Sequence, residues 1–158
     1  MKNKYDTIIS GAGIYGLLIA KKLSKIYPEM KIVILEEKKN LFNNNSTFNS
    51  GVLHSGIYYK PNSLKSKFCI KGNDEMREFI KENGLFHMDT GKLILASSEK
   101  ESYKINDLYQ NGIRNGVHVE LLKPNEAKKI DNCVTTEFNS LYLPTASIGN
   151  PAQVIGKI

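Results

Sequence analysis

The sequence predicts an α/β fold: a Rossmann-like parallel βαβ unit at the start, followed by the opening of an antiparallel α+β domain. Three observations predict it. A short apolar strand, Thr7-Ile8-Ile9-Ser10, runs into Gly11-Ala12-Gly13-Ile14-Tyr15-Gly16. The apolar residues after it, Leu17, Leu18, Leu23 and Ile26, keep helical spacing. A second strand, Lys31-Ile32-Val33-Ile34-Leu35, then ends in the acid Glu36.

A G-x-G-x-x-G run alone is weak evidence. After a strand, at the start of a helix and with an acid about 20 residues on, it becomes a dinucleotide-binding fingerprint. Gly11 permits the tight turn out of the strand, Gly13 lets backbone approach a pyrophosphate, and Gly16 lets helix pack on strand. The first amides of the helix, at Ile14, Tyr15 and Gly16, face a phosphate with the positive end of the helix dipole. Glu36 can accept hydrogen bonds from both ribose hydroxyls and would repel a 2′-phosphate, which disfavours NADP. The competing reading is a glycine-rich turn in an ordinary α/β protein.

The remaining elements follow from local signals. The first helix spans Ile14 to Ile26 and Pro28 closes it. The asparagine-rich stretch from Asn40 to Asn49 would read as a flexible loop by itself. The next run, Asn49-Ser50-Gly51-Val52-Leu53-His54-Ser55-Gly56-Ile57-Tyr58-Tyr59, is rich enough in small residues for a flat ligand to lie on its backbone; a loop without a ligand is the alternative. A helix is expected from Ser63 to Asn83, stopped by Gly84. Two short strands, Phe86–Asp89 and Lys92–Ala96, are joined at Thr90-Gly91. Ser98-Glu99-Lys100-Glu101 is a capping box that opens a helix to Asn115. Val117–Leu122 reads as a strand, Pro124–Ile130 as a short helix and Leu141–Leu143 as part of a further strand.

Bulk properties bound the partners. The 158 residues are 41% hydrophobic, enough for a real core. No run approaches a membrane span, and no apolar signal segment precedes the first strand, so a cytoplasmic location is expected. Cys69 and Cys133 lack metal-ligand spacing and are expected as reduced thiols; no metal site is expected. The net charge of +6 comes almost wholly from scattered lysines. A solvated basic surface explains it; the sharper alternative is attraction to an anionic substrate or an acidic membrane face. No recognition motif for nucleic acid is present, and no such partner is expected.

The run Asn49-Ser50-Gly51-Val52-Leu53-His54-Ser55-Gly56-Ile57-Tyr58-Tyr59-Lys60-Pro61, followed by Ser63-Leu64-Lys65, closely resembles the segment after the second strand in L-2-hydroxyglutarate oxidases and dehydrogenases, members of the FAD-dependent, D-amino-acid-oxidase-like superfamily. The resemblance continues through Cys69, Gly72, Gly84, Gly91-Lys92-Leu93-Ile94, Asn115-Gly116-Val117, Leu121-Leu122 and Glu126-Ala127. It implies FAD as cofactor, with Gly11, Gly13 and Gly16 at the pyrophosphate, Glu36 at the adenosine ribose, Ser46 to Gly51 (Ser46, Asn49, Ser50 and Gly51 among them) along pyrophosphate and flavin, and His54 near the isoalloxazine and substrate. Two segments depart from the family pattern. Asn44-Asn45-Ser46-Thr47-Phe48-Asn49-Ser50-Gly51 stands where H-Q-T-G-x-N-S-G is expected, and Pro144-Thr145-Ala146-Ser147-Ile148-Gly149-Asn150 where P-x-T-G-I-V-D is expected.

The division implied is an FAD-binding portion over 1–84, the start of a substrate domain over 85–143 and a return segment over 144–158. Family members are more than twice as long, so an N-terminal fragment or truncated product is expected, with a complementary C-terminal segment as one partner. The implied reaction oxidises a 2-hydroxy acid, such as the dicarboxylate L-2-hydroxyglutarate, to a 2-oxo acid; oxygen or a quinone, met at the inner membrane face, could receive the electrons. Histidine suits the base that takes the hydroxyl proton, because imidazole exchanges protons near neutral pH. His54 is the candidate; hydrogen bonding to backbone or flavin is its alternative role. His87 and His118 are not expected to act in catalysis. Strand alternation would send Tyr58 and Tyr59 to opposite faces, so at most one should line a substrate site. Lys60 and Lys65 are candidates for attracting a dicarboxylate, against a plainly solvated role. The other readings are a related flavoenzyme acting on an amine or glycerol phosphate, and a non-catalytic remnant.

Overall fold

Strand β1 (Thr7–Ser10) lies parallel to β2 (Ile32–Leu35), in register from Thr7 opposite Ile32 to Ser10 opposite Leu35. Helix α1 (Ile14–Ile26) connects them, so residues 7–35 form the expected βαβ unit. The computed structural model describes residues 4–158. The Tyr27 amide closes α1 on the Leu23 carbonyl at 2.8 Å, and Pro28 follows.

The chain then continues through β3 (Val52–Leu53), α2 (Leu64–Glu82), β4 (His87–Asp89), β5 (Lys92–Ile94), α3 (Glu99–Arg114), β6 (Glu120–Leu122), α4 (Pro124–Ile130), β7 (Ser140–Leu143), β8 (Ser147–Gly149) and α5 (Pro151–Lys157). Local capping sets the helix starts. The Ser63 and Ser98 hydroxyls accept from the Ser66 and Glu101 amides at 3.2 and 3.4 Å. The Asn150 side chain accepts from the amides of Ala152 and Gln153, with Pro151 at the first helical position.

Two compact units result. One runs to Gly51 and takes in Asn150–Ile158; the other is Val52–Gly149. β3 and β8, 94 or more residues apart, pair with each other in the second unit.

In the first unit α1 buries no residue outright, and Ile8, Ile19 and Leu35 are 64%, 51% and 55% exposed. Its two-stranded sheet therefore carries apolar side chains in solvent. Val154 and Ile155 of α5 are buried.

The second unit holds two antiparallel three-stranded sheets, ordered β3-β8-β4 and β5-β7-β6. Its core gathers Ile57, Ala96, Ile105, Val119, Leu141, Leu143 and Ala146. The strands on either side of Thr90-Gly91 do not pair with one another: β4 joins β8 and β5 joins β7. The Thr90 and Gly91 amides both donate to the Ala146 carbonyl, at 3.1 and 3.0 Å, so the chain passes from one sheet to the other there.

Candidate active site

Each unit presents one group of candidate residues. In the first, Gly11 has φ +94°, the left-handed turn that carries β1 into the loop. A Cβ on Gly16 would overlap the Gly11 carbonyl oxygen, so α1 starts directly against that turn. A Cβ on Gly13 would come within 3.2 Å of the Ser46 hydroxyl. The Ile14 amide donates to Ser46 Oγ at 3.1 Å. The amides of Tyr15 and Gly16, next along the first turn, have no acceptor within the helix, as helix geometry requires. Tyr15 is 82% exposed.

Glu36 is held at the end of β2 by backbone. Its Oε2 accepts from the Ala12 amide at 2.7 Å and its Oε1 from the Lys38 amide at 2.9 Å. These two bonds, Lys38 first, with a smaller effect of the Lys38 charge, hold the carboxyl below the usual carboxylate range against a slight opposing effect of burial. A backbone hydrogen bond from Glu37 acts in the same direction, and the group is an ionised acceptor near neutral pH.

The asparagine-rich segment is ordered by its own side chains. Asn44 Oδ1 accepts from the Ser46 amide at 2.9 Å, and Asn44 Nδ2 donates to the Leu41 carbonyl at 2.6 Å. The Thr47 hydroxyl lies 2.7 Å from the Phe42 carbonyl. Asn49 Nδ2 donates to the Ser46 carbonyl at 2.7 Å, and Asn49 Oδ1 accepts from the Gly51 amide at 2.8 Å. Gly51 has φ +67°. Asn44 thus organises the turn that aims Ser46 at α1.

In the second unit, a cavity of about 170 Å³ is lined by Val52, Leu53, His54, Ser55, Gly56, Tyr58, Tyr59, Lys92, Leu143 and Ala146. The His54 imidazole is exposed and has no hydrogen-bond partner among the described residues. Its backbone is anchored: the His54 carbonyl accepts from Asn73 Nδ2 at 3.0 Å and from the Cys69 thiol at 3.4 Å. Burial pushes the Cys69 thiol up, away from thiolate.

Tyr58 and Tyr59 both line this cavity, which corrects the expectation of at most one. The strand ends at Leu53, and the chain turns at Ile57–Tyr59, with the Tyr59 amide on the Gly56 carbonyl at 3.1 Å. Strand alternation does not apply to a turn. Asn115 holds it: Nδ2 donates to the carbonyls of Tyr59 at 2.9 Å and Gly56 at 3.3 Å, while Oδ1 accepts from the buried Ser66 hydroxyl at 2.7 Å.

Lys60 and Lys65 are exposed, outside this cavity. The lysine that lines it is Lys92, which the sequence reading missed. Its signal was the Gly91-Lys92 step at the start of a strand, but only the fold brings it to Tyr58. His87 instead sits beside Arg77 and Asp89, and His118 beside Glu120. No cluster of three metal-ligating side chains occurs among the described residues. None of their helices is long and apolar enough to cross a membrane.

The β-G-x-G-x-x-G-α-β-Glu unit defines a dinucleotide-binding protein of the Rossmann class. The family model described as FAD dependent oxidoreductase matches residues 6–157, and the chain belongs to that family. It is 39% identical over 146 residues to an L-2-hydroxyglutarate dehydrogenase of Dictyostelium discoideum, described as mitochondrial, covering 91% of this chain and 33% of that protein. It is 33% identical over 144 residues to an L-2-hydroxyglutarate dehydrogenase of Escherichia coli strain K12, covering 91% of this chain and 34% of that one. The chain thus spans about a third of the length of these curated relatives. Among solved structures it superposes on L-α-glycerophosphate oxidase from Mycoplasma pneumoniae with FAD bound, at a TM-score of 0.85 and 27% identity, over 98% of this chain and 41% of that one. A glycine oxidase from Geobacillus kaustophilus shares the fold at a TM-score of 0.84 and 19% identity, over 99% of this chain and 43% of that one.

Proposed function

We propose that this chain is the cofactor-binding and substrate-lining N-terminal part of an FAD-dependent oxidoreductase that converts L-2-hydroxyglutarate to 2-oxoglutarate. The observation that carries this reading is the glycine turn. It is closed to any side chain at Gly16, and Glu36 is fixed beside it as an ionised acceptor. That fits the diphosphate and ribose of an adenine dinucleotide without a 2′-phosphate. Identity to L-2-hydroxyglutarate dehydrogenases over most of the chain supports FAD and this substrate.

In this reading Gly11, Gly13, Ile14, Tyr15 and Gly16 present backbone to the diphosphate. Ser46, Asn49, Ser50 and Gly51 line its path, and Glu36 accepts from the ribose hydroxyls. FAD, when bound, supplies the acceptor for the hydride that leaves the substrate α-carbon. His54 takes the hydroxyl proton on an imidazole nitrogen, for which its unpartnered ring is suited. Asn73 and Cys69 keep its backbone in place. The +6 charge supports attraction of a dianionic substrate, or of an anionic membrane face at which a quinone could serve as acceptor.

The likeness to a glycerophosphate oxidase favours one second reading, a flavoenzyme acting on glycerol phosphate. The solvent-exposed apolar side chains of the first unit favour another, in which a complementary C-terminal segment must pack there before catalysis is possible. The test is a visible spectrum of the purified chain with added FAD, followed by anaerobic addition of each substrate. Flavin bands that bleach with L-2-hydroxyglutarate and not with glycerol phosphate support the proposal. The reverse preference supports the second reading, and a colourless protein that gains colour only with the complementary segment supports the third.

A further inference from the structure

We propose that the Lys92 ammonium, oriented by the Tyr58 hydroxyl, is the anchor for a carboxylate of the substrate in the cavity onto which His54 opens. The proposal names a specificity-determining residue, and it rests on the hydroxy-acid reading above.

Lys92 opens β5 opposite Leu143 of β7, and Leu143 forms part of the cavity wall. Its backbone is fixed from both sides. The Thr90 and Gly91 amides converge on the Ala146 carbonyl, and Gly91 turns at φ +65°. That left-handed turn favours glycine, and a Cβ there would fall 2.6 Å from the Tyr142 hydroxyl.

The Lys92 side chain is half-buried. Its ammonium donates to Tyr58 Oη at 3.2 Å and lies 5.0 Å from the Tyr58 ring centroid. Among the described residues no carboxylate comes within ion-pairing distance of it. A lysine carries three donors, and Tyr58 takes one. The others belong to a cation on a half-buried residue with no carboxylate beside it among the described residues, an arrangement that favours binding an anion.

The rest of the cavity says which anion. Val52, Leu53, Leu143 and Ala146 give apolar walls suited to a short methylene stem. The Lys92 ammonium with the Tyr58 and Tyr59 phenols suits a carboxylate head, and no arginine lines the cavity to offer a phosphate a paired, bidentate set of donors.

The test titrates the chain with glutarate, which has the stem and both carboxylates but no hydroxyl to oxidise, followed by ligand-observed NMR. Dimethyl glutarate is the uncharged control, and the readout needs neither flavin nor turnover. Glutarate should bind and its dimethyl ester should not. Lys92→Met, which keeps the stem and loses the charge, should weaken glutarate binding about tenfold or more, and Lys92→Arg should restore most of it. Tyr58→Phe should weaken it by a smaller factor. Circular dichroism melting of each variant excludes unfolding as the cause.

A wild-type chain that ignores glutarate, or a folded Lys92→Met that binds it as well as wild type, overturns the proposal. The flavin spectrum separates this from the parent reading. Lys92-dependent glutarate binding in a chain that takes up no FAD, with or without the complementary segment, would leave the anion site standing and remove the oxidoreductase. Bleaching by L-2-hydroxyglutarate with Lys92→Met unaltered would do the opposite.

Discussion

The Glu36 carboxylate accepts the Ala12 amide hydrogen bond at 2.7 Å, so the acid at the end of β2 is fastened to the middle of the glycine turn. One ionised group thus braces the loop and offers lone pairs outward. A variant that cannot accept in both directions should damage both roles.

Glu36→Gln keeps one oxygen in place of two, so it cannot accept from Ala12 and Lys38 and still offer an equivalent acceptor to a ribose hydroxyl. FAD affinity, measured by quenching of flavin fluorescence, should fall about tenfold or more. The pH dependence has a definite sign. The folded-state pKa of Glu36 is depressed, so its contribution is present above the unfolded-state pKa and lost as pH falls through the folded value. Wild type should therefore release FAD on the acid side of the carboxylate range. Glu36→Gln should lack that pH step.

Gly16 and Gly72 both lie in helices and should respond to alanine with opposite signs. At an open helical position, glycine to alanine stabilises by about 0.5–1 kcal/mol. Gly72 is such a position, with no atom within 4 Å of an added Cβ. At Gly16 the Cβ overlaps the Gly11 carbonyl, backbone that can only yield by shifting the loop. Overpacking of that kind costs about 1–3 kcal/mol. Thermal melts should show Gly72→Ala above wild type and Gly16→Ala below it, with flavin uptake lost only in the latter.

Asn115 should matter more to the second unit than its place at a helix end suggests. Its side chain spans the Ser66 hydroxyl and two carbonyls of the turn that carries Tyr58. Asn115→Ala leaves the Ser66 hydroxyl, 2% exposed, without its acceptor. The expected cost is about 1–3 kcal/mol by urea denaturation. Asn115→Asp should recover only part of it, because a carboxylate cannot donate to the Gly56 and Tyr59 carbonyls.

What was legible in the sequence was local. The βαβ unit, the capping box at Ser98 and the Pro124 helix start each depend on residues a few positions apart, where turn and capping chemistry act. Strand partners were not legible, because Val52 meets Ile148 and Lys92 meets Leu143 across long stretches of chain. The same distance hid β8 within the Pro144–Asn150 segment, whose short run has no period of its own. A period of two does not govern Tyr58 and Tyr59, because both stand in a turn. Lys92 was passed over because its partner Tyr58 lies 34 residues earlier and only the fold joins them.

His54 is the residue whose chemistry is most open to test. Its exposed imidazole has no protein partner among the described residues, while its carbonyl is held by Asn73 and Cys69. A ring whose backbone is fixed and whose nitrogens are free can take a proton from a bound hydroxyl. In the flavin-loaded enzyme, His54→Gln keeps a polar side chain without proton exchange. If the imidazole is the base, kcat should fall by about 10²–10⁴-fold, with little change in KM for the hydroxy acid. A contact to the cofactor predicts a different pattern: a shifted flavin absorption spectrum, weaker FAD binding and a reduction rate close to wild type. Stopped-flow reduction of the His54→Gln enzyme measures rate and spectrum together. A near-wild-type rate alongside a shifted spectrum would move His54 from proton acceptor to cofactor contact, and the proton would then need another acceptor in the enzyme.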